Sequence, residues 1–91
     1  GLNVLMVEKE PQFGGTTAYS AGVIWIPGNR HGRALGIPDS KEDALTYLKH
    51  EAGNRLNLEL ANAFLDNCNP AVEFIENNTH VRYEAVPIWA D

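Results

Sequence analysis

A chain of 91 residues forms at most one small domain. Its 12 acidic and 7 basic residues give a formal net charge of -5, which argues against nucleic acid or an anionic membrane surface as the main partner because neither would attract it. The longest apolar runs, residues 4–7 and 23–26, are too short to span a bilayer. The single cysteine, Cys68, excludes an internal disulfide and favours a cytoplasmic location, with its side chain as a small filler.

The first predicted element is a β-strand over about residues 3–8. Residues 4–7 form a continuous apolar run, which is typical of a parallel strand buried on both faces. Charged residues end the run, and Pro11 stops the strand. No initiator Met precedes it, and Gly1 leads straight into it, as the glycine that caps a preceding helix would. Because the sequence at 87–91 is loop-like, we expect the chain to be an internal piece of a larger protein.

Residues 11–38 are predicted to form a long loop that packs on the rest of the chain. This segment holds six of the eight glycines and three of the five prolines. So long a loop in a compact domain is usually functional or disordered. Tyr19 and the apolar residues 23–26 make it too apolar for disorder, so a functional loop is the better interpretation.

The second half is predicted to be a mainly helical scaffold. Three helices are expected, each with its own N-cap residue: about 41–52 after Ser40, 58–68 after Asn57 and 70–77 after Asn69. Apolar residues recur at helical spacing in each of them, and a proline directly after an N-cap suits the first turn of the third. The alternation of apolar residues over 81–85 predicts a short late strand.

Glu8 is a candidate ribose-binding residue. In dinucleotide-binding folds, an acidic residue at the tip of the second strand accepts hydrogen bonds from the ribose hydroxyls. The Gly-x-Gly-x-x-Gly motif expected about 20 residues upstream is absent from the chain. Its absence fits either a truncated dinucleotide site or a protein that binds no dinucleotide. In the second case Glu8 is only a solvated charged residue at the end of the strand.

Residues 14–22 form a candidate loop for phosphate and for a flat ring. The paired Gly14 and Gly15 let the backbone approach a ligand with its N–H groups free to donate to phosphate. Three hydroxyl side chains add donors for phosphate or ribitol oxygens: Thr16, Thr17 and Ser20. The small residues that follow leave room for a ring against the main chain. An ordinary glycine-rich turn explains the isolated string equally well.

The combination of these segments resembles the FAD-contacting region of the fumarate reductase and 3-ketosteroid dehydrogenase superfamily. The matching segments are Val7-Glu8-Lys9, residues 13–20 and residues 22–29. The Trp-Ile-Pro-Gly-Asn sequence at 25–29 is more similar to the ketosteroid dehydrogenase branch, and so is the helical half of the chain. The resemblance implies an α/β fold, namely part of a Rossmann-type FAD-binding domain with one central strand, an FAD-contact loop, three helices and one late strand. It implies that residues 1–38 belong to the FAD-binding domain and that residues 39–91 lead towards the substrate or cap region.

The resemblance also implies FAD as cofactor and nine contact residues. Glu8 would bind the adenosine ribose. The stretch from adenosine to pyrophosphate would be bordered by Lys9, Gly14, Gly15, Thr16 and Thr17. The ribityl chain and the isoalloxazine would be approached by Ser20, Ala21 and Gly22. Ala21 departs from the glycine common in the family, and its methyl group could crowd the ring.

The function implied by the resemblance is a flavin-dependent oxidoreductase. It would oxidise a carbon–carbon single bond beside a carbonyl of a steroid-like substrate and pass a hydride to FAD. The alternative within enzymes is a fumarate reductase or succinate dehydrogenase flavoprotein for a small dicarboxylate, which would need clustered arginines that this stretch lacks. An alternative of another class is a non-catalytic domain fragment, and we expect the piece alone to be inactive.

No catalytic residue and no metal site are assigned. The family uses tyrosines for acid and base chemistry, but Tyr19, Tyr47 and Tyr83 are better explained by packing, and the resemblance places a catalytic tyrosine after Asp91. The three histidines lack metal-ligand spacing. The arginines at 30 and 33, on either side of His31, are interpreted as solvated surface, with contact to an anionic group as the alternative.

Overall fold

The computed structural model describes residues 1–88, and this part of the chain is helical without any strand. Helix α1 spans Arg30–Ala34, α2 spans Lys41–Ala52 and α3 spans Leu58–Asn78. Two short 3-10 turns add to them, at Gly15–Tyr19 and at Gly53–Arg55. The α/β fold class expected from the sequence is therefore wrong for the described residues.

The predicted strands at 3–8 and 81–85 are both absent, since neither segment has regular structure. The apolar side chains of residues 2–7 are between 75 and 92% exposed. A parallel strand is stabilised by hydrogen bonds to neighbouring strands in a sheet. Residues 1–88 provide no such neighbour. Residues 4–7 therefore have the composition of a buried strand, but no neighbouring strand in the described residues pairs with them.

The predicted bounds of helix α2 are confirmed, because the residues that start and end it act on their near neighbours in the chain. The Ser40 hydroxyl accepts from the Asp43 N–H at 3.0 Å, as an N-cap does, and it donates to the Asp43 carboxylate at 2.7 Å. At the other end Gly53 has a φ of 53°, a left-handed conformation that stops the helix at little cost for a glycine.

Helix α3 is one helix of 21 residues, so the prediction of separate helices at 58–68 and 70–77 is wrong. Its start is confirmed, since the Asn57 side chain accepts from the Leu60 N–H at 3.1 Å. Pro70 lies inside it and removes one backbone hydrogen bond. The helix continues because one stripe stays buried on both sides of Pro70: Ala61, Leu65, Cys68 and Val72. Asn69 caps nothing, and its Nδ2 donates to the carbonyl of Pro27 at 2.8 Å.

The long loop packs on this helical pair through Trp25. Its ring stacks on Phe64 of α3, with centroids 6.0 Å apart and planes 13° apart. It also meets Tyr47 of α2 at 5.5 Å in a tilted arrangement. An ion pair between Lys41 and Asp66 joins the two helices directly. The expectation that the apolar part of the loop is packed is therefore confirmed at Trp25. It is wrong for Tyr19, which is 93% exposed and has no packing role in the described residues.

The chain after Trp25 is held in place by two side chains. Asn29 caps α1, with its Oδ1 accepting from the Gly32 N–H at 2.8 Å and its Nδ2 donating to the Ile26 carbonyl at 2.8 Å. Asp39 accepts from the Gly28 N–H at 2.7 Å, which closes residues 28–39 into a compact loop. These contacts fix the position from which α1 extends.

Candidate functional site

The nine residues predicted to contact FAD all lie in an exposed stretch that is separate from the helical core. Glu8 forms a local turn there, with its Oε1 accepting from the N–H groups of Lys9 at 2.7 Å and Glu10 at 3.1 Å. Its other carboxylate oxygen makes no hydrogen bond to the described residues. Lys9 lies 3.5 Å from the Glu10 carboxylate, and both side chains are exposed. One oxygen of Glu8 thus stays available to a hydroxyl group.

The glycine-rich segment forms the 3-10 turn Gly15–Tyr19, and Gly14 precedes it with a φ of 121°. A Cβ at Gly14 would lie 2.9 Å from the Ala18 Cβ, whereas one at Gly15 would meet nothing within 4 Å. Gly14 is therefore required by the packing of the turn itself. No side chain caps the start of the turn, so its first N–H groups remain free to donate. Thr16 and Thr17 lie in the same exposed turn.

Ser20 closes the turn and has little hydrogen-bonding capacity left. Its hydroxyl donates to the Thr17 carbonyl at 2.8 Å and accepts from the Gly22 N–H at 3.2 Å. Because a hydroxyl has a single proton, Ser20 in this arrangement cannot also donate to a ligand. Its contribution is to hold the backbone that leads into Ala21 and Gly22.

Ala21 and Gly22 border a cavity of about 510 Å³. The other walls come from residues 23–26, from α1 and its cap Asn29, from residues 82–86, and from Gly28, Ile37, Asp39 and Val72. Gly22 has a φ of 72°, and a Cβ added there would meet no atom within 4 Å. The surface beside these two residues is therefore open, as a flat ring lying against the main chain would require.

A buried carboxylate connects two of the walls of this cavity. Glu76 of α3 is 5% exposed. Its Oε2 accepts from Arg30 Nη2 at 2.7 Å, and its Oε1 accepts from His31 Nε2 at 3.0 Å and from the Tyr83 N–H at 3.1 Å. The Tyr83 N–H is the largest cause of a lowered Glu76 pKa, and His31 and Arg30 lower it further against the opposing effect of burial.

Arg82 caps the end of α3 next to this carboxylate. Its Nη1 donates to the carbonyls of Glu76, Thr79 and Val81 at 2.9, 2.8 and 2.6 Å. The last carbonyls of a helix lack hydrogen-bond partners within the helix and carry partial negative charge. A guanidinium group donates hydrogen bonds to them and offsets this charge. Residues 82–86 are thereby held against the helix end.

The interpretation of Arg30 as solvated surface is wrong, because Arg30 binds the Glu76 carboxylate, which is the alternative of contact with an anionic group. Arg33 is exposed and forms no ion pair with the described residues. His31, which lies between them, also binds Glu76. A signal was present in the spacing of α3. Glu76 follows Val72 by four residues and continues the buried stripe of that helix. A carboxylate on an apolar stripe predicts a buried partner, since burying an unpaired charge is costly. Glu76 does not stand out when only the apolar residues of the helix are considered, because it is charged.

The donor set of the exposed stretch fits a nucleotide cofactor. The free N–H groups of the turn and the threonine hydroxyls suit phosphate oxygens, and the free oxygen of Glu8 suits a ribose hydroxyl. The open surface at Gly22 suits a ring. Residues 1–88 contain no group of three or more side chains able to hold a metal ion. Within the same residues, no helix has the length and apolar character needed to cross a membrane.

Comparison with known proteins is consistent with this fit. Residues 1–87 match the family model described as an FAD binding domain. The chain is 47% identical over 83 residues to 4-oxocyclohex-2-ene-1-carboxylate 5-dehydrogenase of Sinomonas cyclohexanicum, covering 91% of the chain and 14% of that protein. It is 36% identical over 91 residues to 3-oxosteroid 1-dehydrogenase of Mycobacterium tuberculosis, covering 100% of the chain and 16% of that protein.

A third relative represents the other branch of the superfamily. NADH:fumarate oxidoreductase of Klebsiella pneumoniae is 36% identical over 77 residues, covering 82% of the chain and 8% of that protein. No solved structure matches the chain. The chain spans about one-seventh of the length of the first of these relatives. The resemblance noted in the sequence is confirmed: the chain belongs to the family of FAD binding domains, its cofactor is FAD, and it is related to the 3-ketosteroid dehydrogenases and to a fumarate oxidoreductase.

Proposed function

We propose that this chain forms part of the flavin site of a dehydrogenase that oxidises a carbon–carbon single bond beside a carbonyl. The observation that carries the proposal is the match of residues 1–87 to the FAD binding domain together with the names of the relatives, which are dehydrogenases of oxo compounds. In such a reaction the substrate loses a proton from the carbon next to the carbonyl and a hydride from the adjacent carbon. When bound, FAD supplies the hydride acceptor.

In this proposal the residues of the chain bind and orient the cofactor. The free oxygen of Glu8 accepts from a ribose hydroxyl, with Lys9 beside it. The turn from Gly14 to Thr17 donates to the pyrophosphate through its N–H groups and threonine hydroxyls. Ser20 holds the backbone so that Ala21 and Gly22 border the ribityl chain and the isoalloxazine. Support comes from the exposure of all these residues and from the uncapped start of the turn.

Acid and base chemistry is not assigned to the described residues. Tyr83 lines the cavity, but its only identified hydrogen bond uses its backbone N–H, which is held by Glu76. A cytoplasmic location belongs to the proposal, on the evidence of the single cysteine.

The test uses the full-length protein that carries this chain. It should purify with one FAD per chain, released by heat denaturation. Under anaerobic conditions, a 3-oxosteroid or a 4-oxocyclohexane carboxylate should bleach the visible flavin band as the hydride is transferred. A colourless protein that binds no added FAD would contradict the proposal.

The second candidate function is fumarate reduction, favoured by the 36% identity to the Klebsiella protein. The same preparation distinguishes the two. Chemically reduced enzyme mixed with fumarate should stay reduced if the leading proposal is right. Rapid reoxidation by fumarate, with no bleaching by either oxo compound, would establish the second candidate instead.

A further inference from the structure

Glu76 is the only buried charged residue among residues 1–88, and the proposed flavin contacts do not use it. Both of its carboxylate oxygens are hydrogen-bonded, to Arg30 through Oε2 and to His31 and Tyr83 through Oε1. A carboxylate with both oxygens engaged in this way is held in one orientation. Its three donors lower its pKa against the effect of burial, so the buried carboxylate is ionised at neutral pH and can accept from all three.

The donors come from two segments that few other contacts hold: Asn29 caps α1, and Arg82 binds carbonyls at the end of α3. Helix α1 has only five residues, far fewer than an isolated helix needs to be stable in water. The backbone N–H of Tyr83 makes the one hydrogen bond that ties residues 83–88 to the rest of the described chain. Glu76 therefore adds direct hydrogen bonds from the long helix α3 to both segments, beside those that Asn29 and Arg82 make.

The same two segments line the cavity that Ala21 and Gly22 border. His31 contributes from α1, and Tyr83 contributes from the segment 82–86. A shift of either segment relative to the other would change the shape of the cavity beside these two residues. The three bonds to the Glu76 carboxylate are the direct link between the two segments and contribute to their relative position.

We propose that Glu76 is a positioning residue of the flavin site, which fixes α1 and residues 82–86 relative to each other and so sets the shape of the cavity beside Ala21 and Gly22. This inference rests on the proposed function, because it takes the cavity to hold the reacting part of the cofactor and its substrate. Glu76 acts through Arg30, His31 and Tyr83.

Glu76→Gln is the informative change because it conserves shape and removes acceptors. The new amide has one oxygen and one nitrogen, and the nitrogen is a donor. In either orientation of the amide, its N–H group faces a group that can only donate: the Arg30 guanidinium in one, and the backbone N–H of Tyr83 in the other. One of the two segments must then move away from α3. Glu73→Gln is the matched control, since Glu73 is an exposed residue of the same helix that makes no ion pair among the described residues.

The experiment compares the two variants with the wild type in the full-length protein reconstituted with FAD. The readouts are the FAD affinity of the apo-protein, the visible spectrum of the bound flavin, and kcat and KM with a 3-oxosteroid or a 4-oxocyclohexane carboxylate. We expect Glu76→Gln to alter the spectrum and to lower kcat roughly ten- to a hundredfold, because a displacement of about 1 Å in a site has an effect of that order. Glu73→Gln should match the wild type in every readout.

A second pair of variants keeps the test decisive if Glu76→Gln does not fold. The Arg30 side chain is 46% exposed, so Arg30→Gln removes one of the three bonds without disturbing the core of α3. It should shift the spectrum and kcat in the same direction by a smaller factor. Arg55→Gln, at an exposed position outside the cavity, is its control and should have no effect. A circular dichroism melt of each apo-protein separates loss of fold from loss of position.

Two results would overturn the inference. One is a folded Glu76→Gln protein whose spectrum and kcat equal those of the wild type. The other is an unfolded Glu76→Gln protein beside an Arg30→Gln protein with the wild-type spectrum and kcat, which would make the cluster purely structural. A wild type that binds no FAD is a different failure, because it removes the proposed function itself and this inference with it.

Discussion

Gly14→Ala should weaken FAD binding because the turn that leads into the proposed pyrophosphate contacts is strained by a side chain at this position. At a φ of 121°, an alanine is in a region that L-residues rarely adopt, which costs about 1–3 kcal/mol. Its Cβ would also lie 2.9 Å from the Ala18 Cβ, closer than two methyl groups can approach. If this strain falls on the bound conformation, FAD affinity falls roughly five- to a hundredfold.

The chain offers both a matched control and a rescue for this prediction. Gly15→Ala also places alanine at a positive φ, of 51°, but its Cβ would meet nothing within 4 Å. Its effect should be smaller than that of Gly14→Ala. The double change Gly14→Ala with Ala18→Gly removes the methyl contact and should recover part of the lost affinity. The assay is titration of the full-length apo-protein with FAD, followed by flavin fluorescence. Equal affinities for Gly14→Ala and the wild type would refute the reasoning.

Four further expectations follow from the same structure. Glu8→Ala should weaken FAD affinity roughly ten- to a hundredfold, since it removes a charge-assisted hydrogen bond, and the melt of the apo-protein should not change. Unchanged affinity would show that Glu8 is only a solvated residue. Trp25→Ala should lower the free energy of unfolding in urea by about 2 kcal/mol, below the roughly 3–5 kcal/mol of a fully buried aromatic, and a loss under about 0.5 kcal/mol would show that the ring contacts contribute little. The lowered pKa of Glu76 means that the folded state binds the proton of this carboxyl less tightly than the unfolded state does, so the ionised carboxylate stabilises the fold above the usual value of 4.5 and this stabilisation is lost as the pH falls through the lowered pKa. The melting temperatures of the wild type and Glu76→Gln should therefore converge only in acid. A constant difference down to the lowest pH would contradict this. The isolated 91-residue chain should purify colourless, and a stoichiometric yellow preparation would show that it holds FAD unaided.

The parts of the fold that the sequence predicts correctly are those decided by nearby residues. Helix α2 begins at a serine cap and ends at a glycine, and each signal acts within one turn of the residue that carries it. The same holds for the cap that starts α3. These hydrogen bonds do not depend on contacts with distant parts of the chain. The predicted bounds therefore agree with the structure.

The strand prediction fails for the opposite reason. The apolar run at residues 4–7 indicates burial, and burial depends on partners that the run itself does not specify. In the described residues these side chains have nothing to pack against and remain exposed. The proline at 70 misleads in a related way, because a local helix-start signal is overridden by the continuous burial of α3 on both sides of it.

The candidate site was predictable in part. The nine proposed contact residues come from motif resemblance, and they remain a prediction. The sequence did not predict that Ser20 uses its hydroxyl within the turn, because that depends on the geometry of three successive residues. It also did not predict the Glu76 cluster, which joins residues 45 and 46 positions apart in the chain. Contacts of that range are fixed only when the helices have packed.

The bond between Gly28 and Asp39 makes this loop a natural place for sequence change. Because its two ends are joined by that bond, extra residues placed after Gly36 leave the ends of the loop in place and interrupt only the bond from the Ile37 N–H to the Gly32 carbonyl. The entropy of closing a loop grows slowly with length, so doubling the residues between the pinned ends costs only about 0.6 kcal/mol. Gly36 is exposed and has a φ of 74°, and a side chain there would meet no atom within 4 Å. A peptide tag or a fluorophore-bearing insert should therefore be tolerated at this turn, giving a reporter position directly beside Ile37, which lines the cavity.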